Sequence, residues 1–167
     1  MSKYEECLEE LEESLPEYIR TIGEFQHENK KWQISNHYFV EKPDRCQICG
    51  HYPIKEIFEI TSTGNILKVG NVCINKITNT KIGKWYKTTY KKIEQLKQNK
   101  SKITIISGML KDYENDTLPF SMSSIACERF EKMLDRLCNG LNLTKSQDGL
   151  FYAYIRKAAD YLESAEE

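Results

Sequence analysis

Histidine is scarce in this chain, with three in 167 residues, and tryptophan is scarcer, with two. That weighs against a metallonuclease, which needs a histidine base and further ligands gathered in one hydrated cleft. No apolar run approaches the ~20 residues of a membrane-spanning helix, and the opening Met1-Ser2-Lys3-Tyr4-Glu5-Glu6 is too acidic for a secretory leader. The expected compartment is the cytosol. There is no Gly-rich phosphate loop, dinucleotide fingerprint or Gly-x-Ser-x-Gly elbow, which removes the common nucleotide and acyl-transfer chemistries. Internal repeats, Gly/Ser linkers and low-complexity tracts are missing as well. The expectation is a non-enzymatic protein forming one compact domain.

What the chain does have is cysteine, six in all. In a reducing cytosol thiols serve as metal ligands before they serve as disulfide partners. Cys46-Gln47-Ile48-Cys49-Gly50-His51 has the form of a knuckle, two thiols two residues apart with glycine at the turn, and Val69-Gly70-Asn71-Val72-Cys73 returns a third at a helix start. A structural Zn2+ wants four soft or borderline donors in a tetrahedron. Cys46, Cys49 and Cys73 supply three, and His51 is the expected fourth, because the chain leaves the knuckle there. His37 and His27 are alternatives, with Cys7 more remote.

Other readings of the pair fail on neighbouring residues. Haem attachment needs histidine directly after the second cysteine, and Gly50 stands there. A redox Cys-x-x-Cys works at a helix start, whereas the residues after Cys49 read as strand. Zinc deaminases need an H-x-E element and a proline before the pair, and neither is present. Four protein ligands also leave no open position for catalysis. Cys127 and Cys138 are eleven residues apart, about three helical turns, and read as core fillers.

Charge is unevenly placed although the net value is only −1. Residues 1–24 hold eight glutamates against Lys3 and Arg20, and residues 76–102 hold nine lysines against Glu94. Such blocks either meet differently charged partners or neutralise each other. Glu5, Glu6, Glu9, Glu10, Glu12 and Glu13 form either a solvated helix face or an acidic docking surface for a basic protein. Lys84, Trp85, Tyr86, Lys87, Tyr90, Lys91 and Lys92 interleave cations with rings, as a nucleic-acid surface does, or else form an amphipathic helix with its aromatics inward.

Ser2-Lys3-Tyr4-Glu5 and Ser14-Leu15-Pro16-Glu17 both fit the capping box, so two successive N-terminal helices are expected. Their apolar stripes are Tyr4, Cys7, Leu8, Leu11 and Leu15, then Tyr18, Ile19, Ile22 and Phe25. Residues 32–40 read as strand, and residues 54–60 and 66–69 as a hairpin around Gly64. Asn71 is the expected cap of the helix carrying Cys73. A helix from about Lys84 follows, with Trp85, Thr89, Ile93 and Leu96 on one side. Ile103-Thr104-Ile105-Ile106 fits strand or helix. Helices from Ser123 or Ser124 and from Thr144 complete the chain. The fold class is helix-rich α+β, a zinc-pinned hairpin and helix packed with N- and C-terminal helices. It divides into residues 1–30 (acidic helical), 31–82 (zinc module) and 83–167 (helical).

The knuckle from Cys46 to His51, the strand from Ile54 to Ile60 and Val69-Gly70-Asn71-Val72-Cys73 resemble treble-clef zinc modules in small proteins of bacteriophages and mobile elements. In size, charge polarity and lack of a catalytic constellation the chain also resembles small anti-CRISPR inhibitors of type II RNA-guided nucleases. The resemblance implies a structural zinc ion, a bacterial cytoplasmic setting and a CRISPR effector nuclease as protein partner, blocked from loading nucleic acid. The rival expectation is a zinc-dependent accessory or regulatory protein that binds nucleic acid.

Overall fold

Among residues 1–165, which the computed structural model describes, the chain forms six helices and one four-stranded antiparallel sheet. It is a helix-rich α+β fold. Two compact units divide these elements, one of residues 13–90 and the other of residues 1–12 with those from 91 on, so that the division falls inside the first and third helices.

The first helix, α1, runs unbroken over Lys3–Ile22 with Pro16 inside it, where two helices were expected. Ser2 and Glu5 do form a reciprocal cap at its start: Ser2 N donates to Glu5 Oε2 at 2.7 Å and Glu5 N to Ser2 Oγ at 3.3 Å. Pro16 removes one donor from the helical ladder and costs about 3 kcal/mol in an isolated helix. Packing offsets this, because Leu15 is buried and its carbonyl accepts the Tyr86 hydroxyl at 2.6 Å.

In the unit of residues 13–90, β1 (Glu24–His27), β2 (Lys30–Asp44), β3 (Ile54–Ser62) and β4 (Asn65–Val69) lie in sequential order. Glu28 and Asn29, at φ 49° and 60°, make the tight turn from β1 to β2. Phe25, expected at the end of a helical stripe, lies instead in β1 opposite Trp32. Register shifts between Ile34 and Asn36 and between Phe39 and Asp44 bend the long β2. The central β3 buries Ile54, Ile57, Phe58 and Ile60. Such side chains stabilise by about 1.5–3 kcal/mol each.

Directly after β4 comes α2 (Asn71–Thr78), ended by Asn79 in the left-handed conformation, and then α3 (Ile82–Gln98). Gly83 brings the two helix starts together. A Cβ there would lie 2.6 Å from the Asn71 carbonyl oxygen, so only hydrogen fits. The Asn75 side chain accepts from Gly83 N at 2.8 Å and fixes that approach. On α3 the buried stripe is Ile82, Tyr86, Thr89, Ile93 and Leu96. Trp85, expected on that stripe, remains 38% exposed.

The other unit packs α4 (Lys100–Glu114), α5 (Ser124–Cys138) and α6 (Lys145–Ala165) around Ile103, Ile106, Phe130, Met133 and Leu137, with Tyr4 and Cys7 from the start of α1. The β-branched run at Ile103 is helical because Ile103 and Ile106 both face this core. Ser123 caps α5 through the Ala126 amide, and Thr144 and Gln147 cap α6 reciprocally. Cys127 is buried in this core and Cys138 packs at its edge.

Candidate metal centre

The turn between β2 and β3 places the first two thiols. Gly50 N donates to the Cys46 carbonyl at 2.8 Å and Cys46 N to the His51 carbonyl at 3.0 Å, closing the loop on itself. Gly50 holds the turn at φ +73°, a value that side chains resist. Gln47 then ties the loop to β4, its backbone N donating to the Lys68 carbonyl at 2.9 Å and its side chain accepting from Lys68 N at 2.6 Å. Arg45 clamps the outside, donating to the Gly50 carbonyl at 2.7 Å. Because β4 passes directly into α2, Cys73 arrives in that helix's first turn beside the knuckle.

The sulfurs of Cys46, Cys49 and Cys73 lie within 4.8 Å of one another. Zn–S bonds of about 2.3 Å in a tetrahedron put sulfurs about 3.8 Å apart, so the thiols need to close by about 1 Å at most. Three soft donors at this spacing fit a thiophilic cation such as zinc. Cys46 and Cys73 are buried, and Cys49 is exposed. Hairpin, knuckle and helix-start cysteine together form a treble-clef-like arrangement.

Burial pushes the Cys46 thiol up, but amide hydrogens of Cys49, Gly70 and Ile48 aimed at its sulfur outweigh this and bring it down to about 7. Cys73 goes the other way, to about 12, through burial first and then the hydrogen bonds and charge of Cys49 and Cys46. Near neutral pH the metal-free site therefore keeps a proton on Cys73, which a bound cation must displace. Apparent metal affinity is expected to rise at least about tenfold per pH unit above pH 7, and more steeply below it where Cys46 is also protonated. Competition against a chromophoric chelator across pH 6.5–8 checks this, with proton release seen in a weakly buffered titration.

His51 lines the same cavity of about 400 Å³ as the three cysteines, but its ring does not join their group. Its backbone carbonyl is the part that contacts the knuckle. His27 lies in β1 with its Nε2 3.9 Å from Glu28 Oε1. His37, another alternative ligand, is committed elsewhere: its Nε2 sits 3.2 Å from Glu56 Oε1, inside a ring of Phe39, Phe58, Tyr86 and Tyr90. Cys7 lies in the core around Phe130.

The residues singled out for nucleic-acid binding separate by chemistry. Lys84, Lys87 and Lys91 are exposed on α3, and Lys92 is half-buried. Tyr86 is 3% exposed, and burial pushes its hydroxyl well above the usual range. Tyr90 packs edge-on against Phe39. Trp85 keeps one open side and leans on Tyr18 at 5.4 Å. On α1, Glu5, Glu9, Glu10, Glu12 and Glu13 are exposed, and Glu6 pairs with Lys3 at 3.4 Å.

Sequence reasoning missed the group that supports the site. Glu56, buried in β3, accepts from Asn71 Nδ2 at 3.0 Å as well as meeting His37. Asn71 was the expected helix cap, but Gly70 occupies that position without a side-chain bond and the Asn71 amide reaches across to β3 instead. The only sequence signal for this was a glutamate on the apolar side of a strand.

No family model matches the chain, and no curated protein or solved structure matches it either.

Proposed function

We propose that the three-cysteine centre holds a structural zinc ion and that the protein is a non-enzymatic inhibitor that works by docking on another protein. The partner class is an RNA-guided bacterial nuclease in the bacterial cytoplasm, whose nucleic-acid loading the docked protein blocks. Zinc binding free energy at such a site becomes folding free energy, which suits a scaffold role. No helix of the described residues is long and apolar enough to cross a membrane.

The observation that carries this reading is the glutamate face of α1. Glu9, Glu10, Glu12 and Glu13 are exposed and form no ion pair among the described residues. A row of unneutralised carboxylates on one helix complements the electropositive channels through which such nucleases take up guide and target. The rival reading, a nucleic-acid-binding accessory protein, rests on the exposed Lys84, Lys87 and Lys91 and on the open side of Trp85, with Tyr86 buried and Tyr90 half-buried.

The test is a pull-down of a guide-free type II effector at rising salt, using wild type, a Glu9→Lys/Glu10→Lys/Glu13→Lys variant and a Lys87→Glu/Lys91→Glu variant. Capture is expected at low salt, to weaken as salt screens the charges, and to fall at least about tenfold in the glutamate-reversed protein alone. No capture at low salt sinks the reading. Retention of single-stranded nucleic acid that only the lysine reversal abolishes turns it towards the accessory-protein alternative.

A further inference from the structure

We propose that the fourth coordination position of the three-cysteine centre is open to solvent and takes a thiolate from outside this chain. The inference rests on the metal reading above and concerns what completes it. Among the described residues, no histidine, further cysteine or carboxylate joins Cys46, Cys49 and Cys73. The three sulfurs form part of the wall of a cavity of about 400 Å³, and Cys49 is exposed, so the remaining face of a bound cation is reachable from bulk water.

The rest of that wall does not compete for the position. Pro53, Ile54 and Val72 carry no side-chain donor, and Asn71, whose amide nitrogen is tied to Glu56, offers only a hard amide oxygen that a sulfur-bound cation disfavours. His51 has its backbone carbonyl tied to Cys46 N at 3.0 Å, and its exposed ring stays outside the sulfur group.

Lys76 sets the class of ligand. Three thiolates on a divalent cation carry a net charge of −1, and a fourth thiolate makes it −2, which a water or an imidazole does not. The Lys76 ammonium, one turn after Cys73 on α2, lines the same cavity and offsets that added charge. A soft cation already bound by sulfur also favours sulfur over oxygen at its last position. The incoming thiol binds through its sulfur and releases its proton to solvent. No oxidant or reductant takes part. A small cellular thiol and a cysteine of a docked protein share this chemistry.

The experiment loads the full chain with Co2+ and follows the sulfur-to-cobalt charge-transfer absorbance while adding glutathione, a cysteine-containing decapeptide, or imidazole. Both thiols, or the peptide alone, are expected to raise the band by about a third as the thiolate count goes from three to four. Uptake of the peptide but not of glutathione assigns the source to a protein. Lys76→Glu is expected to weaken thiol uptake about tenfold with the starting band intact. His51→Ala is expected to leave the starting spectrum unchanged. A starting spectrum that shifts in His51→Ala and ignores added thiol overturns the open position while leaving the metal centre standing. A chain that develops no charge-transfer band with Co2+ overturns the centre itself, and this proposal with it.

Discussion

Cys73→Ser is expected to emerge from purification without metal and to melt more than about 10 °C below the wild type. Structural zinc contributes about 10–16 kcal/mol of binding free energy in small modules, against a total stability of about 5–15 kcal/mol for an ordinary domain. The whole of that is not at stake here. Residues 13–90 keep an apolar core of Ile57, Phe58, Ile60, Val69 and Ile74 that owes nothing to the ion. What depends on it is the attachment of two weak elements. α2 has eight residues, too few to persist alone. The knuckle exposes Gln47, Cys49, Gly50, His51, Tyr52 and Pro53 and buries little besides Cys46. Loss of about 3 kcal/mol is enough for the stated shift, since each kcal/mol moves the midpoint of a domain this size by about 4–8 °C. Differential scanning calorimetry with elemental analysis checks it, and chelation of the wild type should give a comparable drop. Cys127→Ala, in the other unit, should keep its metal. Chelated wild type that keeps the midpoint of the metal-loaded protein would falsify the structural role.

The parts of this fold that could be read in the sequence are those fixed by local chemistry. The knuckle, the Gly64 hairpin, the Ser2 and Thr144 capping boxes and the Ser123 cap each specify their backbone within four or five residues. Where the reading failed, a distant partner decided. Pro16 looks like a helix boundary until Tyr86 is seen to donate to the carbonyl of Leu15, seventy-one positions before it. The same hydroxyl explains why α3 turns Tyr86 rather than Trp85 inward: a buried tyrosine needs a partner for its polar end, and one stands opposite it. Isoleucines at 103 and 106 favour a strand by shape and form a helix because both reach the core.

The candidate site divides in the same way. Three cysteines at a recognisable spacing could be named in advance, because a metal knuckle imposes its own geometry. A fourth ligand could not, since it depends on where a side chain points once the hairpin has closed. The aromatic residues near the lysines could not be placed in advance for a related reason. Their rings are equally suited to stacking on bases and to packing on Phe39, Phe58 and His37, and Tyr86 and Tyr90 make the second kind of contact. The lysines Lys84, Lys87 and Lys91 remain at the surface in either case, so their exposure does not distinguish the two uses.

The largest effect away from the sulfurs is expected at Glu56. Its side chain is 9% exposed and links three elements: Oε1 lies 3.2 Å from Nε2 of His37 on β2, and Oε2 accepts from Nδ2 of Asn71, the first residue of α2. His37 is itself buried, and its Nδ1 has no partner among the described residues. Glu56→Ala therefore strands a second histidine nitrogen and the Asn71 amide. At about 1–3 kcal/mol for the buried histidine nitrogen and less for the half-buried Asn71 amide, the expected loss is about 2–3 kcal/mol. Glu56→Gln keeps an oxygen for Asn71 and an amide group facing His37, and should recover most of the difference. Cys73 follows Asn71 by two residues, so freeing Asn71 also loosens a ligand. Outer partners of metal ligands typically change affinity 10–100-fold, and a fall of about tenfold in metal affinity is expected for the alanine variant. Thermal melts and chelator competition on the two variants separate the possibilities. Equal midpoints for alanine and glutamine would mean that Glu56 only fills space, whereas a stability loss with unchanged metal affinity would cut the link from β3 through Asn71 to the centre.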